Sequence, residues 1–407
     1  MGVRLRIIVM MFLQYFIWGA WLITVGVWWF NTKGWPASNF GAIFSTMGIA
    51  SLFMPTLSGI IADKFINAEK LYGIFHILGG VCLIWASVSL TPLEFFVRIL
   101  IAMCFYMPTL ALANSVAYSL LEMKGLDIVK VFPSLRVFGT IGFIVAMWGV
   151  GLLHLDETSG MFYLAGISAI VLGIYSFTFP KCSRFKQMAV QEGVKGKIFS
   201  KRLVIFFFFS VLLGAALQLT NAYGAIFLHS FHSMSQYSNS VCVKYPSIIL
   251  SISQISETVM ILFIPFFLSR FGIKKVIMLS MVAWIFRFLL FGFGNPGSGL
   301  WMIILSCIIY GVAFDFFIVS GSLYTEKCVA VTQRSRAQGI YQLMVNGIGA
   351  ILGSLVSGWV ISRFFMLPGD VIHFQGIHGV WVTFSLYALV IAVVFWMIFK
   401  EDKSIIK

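Results

Sequence analysis

The sequence predicts an all-α membrane protein of twelve transmembrane helices arranged as two six-helix, pseudo-symmetric halves. Three observations carry the prediction: the apolar composition, the division of the apolar residues into twelve segments of membrane-crossing length, and one long polar stretch that separates six segments from six. Of 407 residues, 60% are hydrophobic, 16% aromatic and only 10% charged. A soluble domain is closer to half apolar and a quarter charged. A helix needs about 20 apolar residues to cross a hydrocarbon core of ~30 Å.

The twelve expected spans are 7–30, 38–62, 71–90, 95–121, 134–154, 161–180, 203–229, 246–268, 274–293, 300–325, 336–363 and 377–399. Arg4 and Arg6 precede the first apolar run, as in a signal peptide, but that run is too long and too rich in Trp, and no small-residue cleavage site follows it. It is read as a span. The polar stretch PKCSRFKQMAVQEGVKGKIFSKR, 180–202, divides the chain into an N-terminal bundle (1–180), a cytoplasmic linker (181–202) and a C-terminal bundle (203–407).

The net charge of +14 does not mark a nucleic-acid partner, because the basic residues are distributed by side rather than gathered in a patch. With the N-terminus inside, the cytoplasmic segments hold Arg4, Arg6, Lys64, Lys70, Lys124, Lys130 and seven Lys and Arg of the linker region. They also hold Arg270, Lys274, Lys275, Lys327, Arg334, Arg336, Lys400, Lys403 and Lys407. The opposite side has Lys33, Arg98, Lys244 and Arg363, with Arg287 toward the outer end of span nine. This asymmetry predicts that both termini are cytoplasmic. The six cysteines form no Cys-x-x-Cys or Cys/His cluster, so neither a disulfide framework nor a structural metal is expected.

Features recur between the halves at offsets of 200 to 210 residues: Gln14 with Gln218, Pro55 with Pro265 (each read as closing an apolar run before a polar turn), Tyr106 with Tyr310, and Arg136 with Arg336. Parallel six-helix repeats of this kind belong to transporters whose substrate site lies at the repeat interface near mid-membrane. Two acids fall deep inside spans, Glu257 and Asp315. An ionised group at that depth costs about 2.5 to 3.5 kcal/mol, so it faces a cavity, pairs, or is protonated. Gln254 lies three residues before Glu257, and Gln218 and Asn221 repeat that spacing in span seven. Such amides serve either to glue helices together or to bind a neutral ligand rich in hydroxyls and ring nitrogens. Tyr310 and Phe314 stand one turn apart, as Thr140 and Phe143 nearly do. Arg136 admits two readings, a boundary charge that snorkels to the water line or a residue of an internal site. Pro55, Pro108 and Pro265 supply either bends or packing.

GIIADKFINAEK, 59–70, resembles a weakened Gly-x-x-x-Asp-Arg/Lys loop of the major facilitator superfamily. The set FIWGAWL, GIASLFMP, YMPTL, DIV, RVFGTIGFI, SISQISET, PFFLSRFGIK and YGVAFDFF resembles the nucleoside:proton symporter family of enterobacterial permeases through nearly the whole chain. The resemblance implies a major facilitator fold. It also implies proton-coupled nucleoside uptake by alternating access across a bacterial inner membrane, with no cofactor beyond the proton gradient, no enzymatic activity and a monomeric carrier. It implies further that Arg136, Thr140, Phe143, Gln218, Asn221, Gln254, Glu257, Tyr310 and Phe314 line the nucleoside site. Glu257 is then the first candidate for proton coupling, and Asp315, beside the site, is the second. Two positions depart from relatives: Ile318 stands where they carry an amide, and Ala216 where close relatives can carry a glutamate. Rival readings are a facilitator for a sugar or another small polar solute, a drug-efflux carrier, and a membrane-embedded sensor or enzyme. The last lacks any nucleotide-binding loop, Ser/His/Asp arrangement or metal spacing.

Overall fold

The structure, a computed structural model of the chain, describes residues 2–181, 200–329, 334–365 and 374–399. The chain divides into two compact units, Met1–Ala189 and Val190–Lys407. Every regular element among the described residues is helical.

In the first unit α1 is Val3–Gly19, α2 Ala37–Lys64, α3 Ala68–Ser87, α4 Pro92–Glu122, α5 Ile128–Leu152 and α6 Gly160–Ser176. The start of α4 shows how sequence sets an end. The Thr91 hydroxyl accepts from the Glu94 amide at 3.2 Å, Glu94 Oε2 accepts from the Leu90 amide at 3.0 Å, and Pro92 takes a first-turn position that needs no N–H partner. Helix α1 packs on α5 and α6, α3 on α4 and α6, and α2 on α4. The first expected span is not one helix: after Gly19 the chain turns, makes one helical turn at Val25–Val27 and a π turn at Trp28–Thr32. Trp28 and Trp29, both fully buried, pack there against Trp35 and Phe95.

In the second unit α7 is Lys201–Ser230, capped by the Ser200 hydroxyl on the Leu203 amide at 3.3 Å. The helical run Pro246–Phe293 is broken at Gly272, whose φ of 78° and ψ of 169° belong to a region essentially reserved for glycine. Its arms before and after Gly272 are α8 and α9. They must fold back on each other, because Ser256 and Ser280 donate to the carbonyls of Ile308 and Ala313 on the next helix. In one straight helix Ser256 and Ser280 would be about 36 Å apart, against about 8 Å for the two carbonyls. That next helix is α10, Leu300–Lys327. Arg334–Gln342, the π segment Leu343–Gly349 and Ala350–Phe364 run on as α11, and α12 is Phe374–Ile398.

Nine helices among the described residues are long and apolar enough to cross a membrane. The expected twelve differ from nine for local reasons: α1 and α6 each have 17 residues, and α8 and α9 run together across Gly272. One expectation needs correction and one is refined. Pro55 and Pro265 lie within their helices, as the expected spans 38–62 and 246–268 have them and as Pro108 does, but the apolar run does not close at the proline: α2 continues nine residues beyond Pro55 to Lys64. Neighbouring helices and hydroxyls re-satisfy the backbone a buried proline releases, so a proline in an apolar run is no stop signal. Arg136 does not start its span either; it lies eight residues past Ile128, about 12 Å along α5.

Candidate functional site

The candidate residues of the second unit come together around Tyr310. Its ring lies parallel to that of Phe314, one turn on, with centroids 5.6 Å apart and planes 1° apart. The guanidinium of Arg287 sits 4.4 Å from the Tyr310 centroid, and Trp284 meets the same ring edge-on at 6.0 Å. The charges of Glu257, Arg287 and Asp315 all act on the Tyr310 hydroxyl, and those of Glu257 and Asp315 act on each other. Glu257 lies eleven residues into α8 and is half-buried, as Gln254 is. Asp315 is only 3% exposed, and its Oδ2 has no hydrogen-bond partner among the described residues. A buried carboxylate oxygen left without a partner carries a desolvation cost.

Arg287 overturns an expectation. Its sequence position suggested an outer-end topology charge, but it is 2% exposed. Nη1 donates to the Ser306 carbonyl at 2.8 Å, the Ser306 hydroxyl returns a bond to the Arg287 carbonyl at 2.8 Å, and Nε reaches Thr220 Oγ1 at a long 3.5 Å. The signal was available: an arginine inside WIFRFLLF is flanked by apolar residues on both sides, and a mid-span cation is functional by default. Thr220 ties this cluster to α7, where Gln218 is buried with Oε1 lacking a partner among the described residues, and Asn221 is half-buried. Ile318, at the departure from relatives, lines a small cavity of apolar surface with Phe314, Phe317, Leu213, Leu217 and Val345.

In the first unit Arg136, Thr140 and Phe143 follow one another on α5; Phe143 is buried, while Arg136 and Thr140 are half-buried. Arg136 does not reach out toward an end of the helix. Its guanidinium lies over the Tyr15 ring, 3.9 Å from the centroid. Beside it is a polar cluster that the sequence only hinted at. Gln14 is fully buried; its Oε1 accepts from the Tyr72 hydroxyl at 2.7 Å and from His76 Nε2 at 2.8 Å, and its Nε2 donates to Thr109 at 2.9 Å. The Tyr106 hydroxyl donates to the Gln14 carbonyl at 2.7 Å. Tyr72 and His76 stand one turn apart in a helix whose charged residues, Glu69 and Lys70, are confined to its first turn, which was the missed signal. The Arg336 side chain, the repeat counterpart of Arg136, lies outside the described residues. Among the described residues no three His, Cys, Asp or Glu side chains are placed to hold a metal ion.

Ionisable and aromatic side chains inside membrane-length helices mark a functional site within the membrane, as transporters have. Comparison with known proteins gives the family. The profile of the nucleoside H+ symporter family matches residues 1–404. The chain is 46% identical to the xanthosine permease of Escherichia coli (strain K12), over 99% of this chain and 97% of that protein. It is 43% identical to the nucleoside permease NupG of the same organism, over 98% and 96%. The crystal structure of NupG superposes with a TM-score of 0.91 at 44% identity, covering 99% of this chain and all of that one. A D-xylose-proton symporter, 15% identical, superposes with a TM-score of 0.70 over 98% of each chain and shares the fold. The chain belongs to the nucleoside H+ symporter family of the major facilitator superfamily.

Proposed function

We propose that this chain carries nucleosides into the cytoplasm together with protons, across a bacterial inner membrane, as a monomer with both termini cytoplasmic. The observation that supports this most is the cluster on Tyr310, where a stacked aromatic pair, a buried guanidinium and two carboxyls occupy one region of the second unit. An aromatic face of that kind stacks on a nucleobase, a contact worth about 1 to 3 kcal/mol in single-strand binding proteins. Half-buried Asn221 and Gln254 and buried Gln218 offer donors and acceptors to ring nitrogens and ribose hydroxyls. Within the first unit, Arg136, Thr140 and Phe143 on α5 are the candidate substrate contacts that the family resemblance implies.

Proton coupling follows from the two acids. The sequence ranks Glu257 first; burial favours the reverse order, because Asp315 is the more deeply buried and keeps an oxygen without a partner among the described residues, while Glu257, half-buried on the facing helix, senses its charge and is placed to meet substrate. A desolvated carboxyl takes a proton from the outer side, nucleoside binds, the carrier rearranges, and proton loss to the cytoplasm resets it. Initial uptake of radiolabelled uridine into vesicles tests the substrate class. Unlabelled adenosine, uridine and xanthosine are expected to compete, and xylose or lactose to leave uptake unchanged. Competition by sugars at equal concentration, with none by nucleosides, overturns the reading.

A further inference from the structure

The first unit holds a residue that neither the motif pattern nor the repeat marked. The ring of Tyr15 of α1 lies under the Arg136 guanidinium, with Cζ 3.9 Å from the ring centroid. The stack exists because Gly139 leaves room for it: a Cβ there would stand 2.6 Å from Tyr15 Cδ2 and 2.9 Å from Arg136 Nη1. An arginine that snorkels to a water line extends its stem; this one lies back onto an aromatic ring.

The ring is itself held. Its neighbour Gln14 receives the Tyr72 and His76 donors on its amide oxygen, donates to Thr109, and accepts Tyr106 on its main-chain carbonyl. One bond from α4 therefore holds the main chain of α1 next to Tyr15, and three more from α3 and α4 anchor the Gln14 side chain beside it. The Arg136 charge also acts on the Tyr106 hydroxyl, so the cluster and the guanidinium are electrostatic neighbours. A contact made by Cζ over the ring holds the guanidinium through its charge and consumes none of its five N–H donors as hydrogen bonds. Those donors stay aimed in one plane, as the carbonyl edge of a base or a pair of ribose hydroxyls requires.

We infer that Tyr15 is a positioning residue of the nucleoside site: its ring, locked through Gln14, holds the Arg136 guanidinium flat with its donors directed at substrate. The inference rests on the reading of Arg136 as a nucleoside-site residue, and the test separates the two. Initial rates of uridine uptake are measured in proteoliposomes of the full chain under an imposed proton gradient, for Tyr15→Leu, Tyr15→Phe, Arg136→Lys, Gly139→Ala and the double variant Tyr15→Leu/Arg136→Lys. Thermal midpoints in detergent control for folding.

Tyr15→Leu raises KM about three- to thirtyfold, the loss of one partly buried cation–π contact, with Vmax within about twofold. Tyr15→Phe, which keeps the ring, returns KM to within about threefold of wild type. Arg136→Lys, which loses the plane, raises KM, and the double variant is no worse than the poorer single one, because both remove the same contact. Should Tyr15→Leu fail to fold, Gly139→Ala displaces the ring with both side chains retained and is expected to raise KM in the same way. A wild-type KM in Arg136→Lys sinks the site reading and this inference with it. An impaired Arg136→Lys beside a Tyr15→Leu or Gly139→Ala of wild-type KM overturns the inference alone, as do strictly multiplicative losses in the double variant.

Discussion

Replacing Asp315 by Asn removes the proton while keeping the shape of the protonated side chain. Asp315 is 3% exposed and its Oδ2 has no protein partner among the described residues, so an amide in its place adds no buried charge and breaks no hydrogen bond at that atom. If this carboxyl carries one proton per cycle, each pH unit across the membrane supplies about 1.4 kcal/mol, and uridine accumulates about tenfold per unit at equilibrium. With the pH lower outside by two units and the membrane potential clamped to zero, wild type is expected to reach about a hundredfold. Asp315→Asn is expected to reach the same concentration on both sides, while still exchanging labelled for unlabelled uridine with no gradient imposed. The assay is the steady-state ratio of inside to outside label in proteoliposomes, measured at several pH differences. A slope of two decades per pH unit in wild type would place a second proton on Glu257, whose charge is felt by Asp315 and Tyr310 alike. The reasoning is refuted if Asp315→Asn still accumulates uridine tenfold per unit.

Two further outcomes follow from the scaffold. Gly272→Ala forces a side chain into a backbone region with φ of 78° and ψ of 169°, at a cost of about 1 to 3 kcal/mol; it is expected to lower the thermal midpoint of the purified carrier, and an unchanged midpoint would mean the turn rearranges freely. Asp156, in the turn between α5 and α6, is pushed up to about 6 by burial, with Glu157 adding to the effect and main-chain amides and His154 opposing it. The folded state therefore holds this proton more tightly than the unfolded chain does, so the contribution to stability is full below about pH 4, falls as pH rises toward 6, and stays lost above. Asp156→Asn is expected to raise the midpoint at pH 7.5 by the equivalent of about 2 to 3 kcal/mol and to flatten its dependence between pH 4.5 and 6.5; equal slopes in both proteins would contradict this.

The fold class was legible because lipid imposes it: composition, segment length and one polar interruption leave few alternatives. Boundaries were less so. Nothing in an apolar run distinguishes a proline that ends a helix from Pro55 or Pro265 inside one, since the released carbonyl finds its partner in three dimensions. The turn at Gly272 was legible in SRFGIKK, whereas the π turn at Trp28–Thr32 is set by Trp packing that no local pattern announces. In the site, the acids and amides stood out because they are rare in spans. Arg287 was misread because side-of-membrane arithmetic counts charges without asking how far each lies from the span's end. Gln14 stands out through its repeat partner and Tyr72 and His76 through their spacing, but nothing local says that they and Thr109 meet. Only tertiary contact makes them one network.

The hydroxyls of Ser256 and Ser280 have a mechanical consequence. They seize α10 at the carbonyls of Ile308 and Ala313, two residues before Tyr310 and three after it, while Ser306 and Arg287 clasp each other one turn earlier. Each rivet uses a carbonyl's second lone pair, so no rung of the helix is given up for it. The stretch that presents Tyr310 is thus pinned on both flanks to α8 and α9 and has no private motion. Any stroke that shifts the aromatic platform must drag the three helices as a single lever, and the bending has to be found elsewhere in the unit.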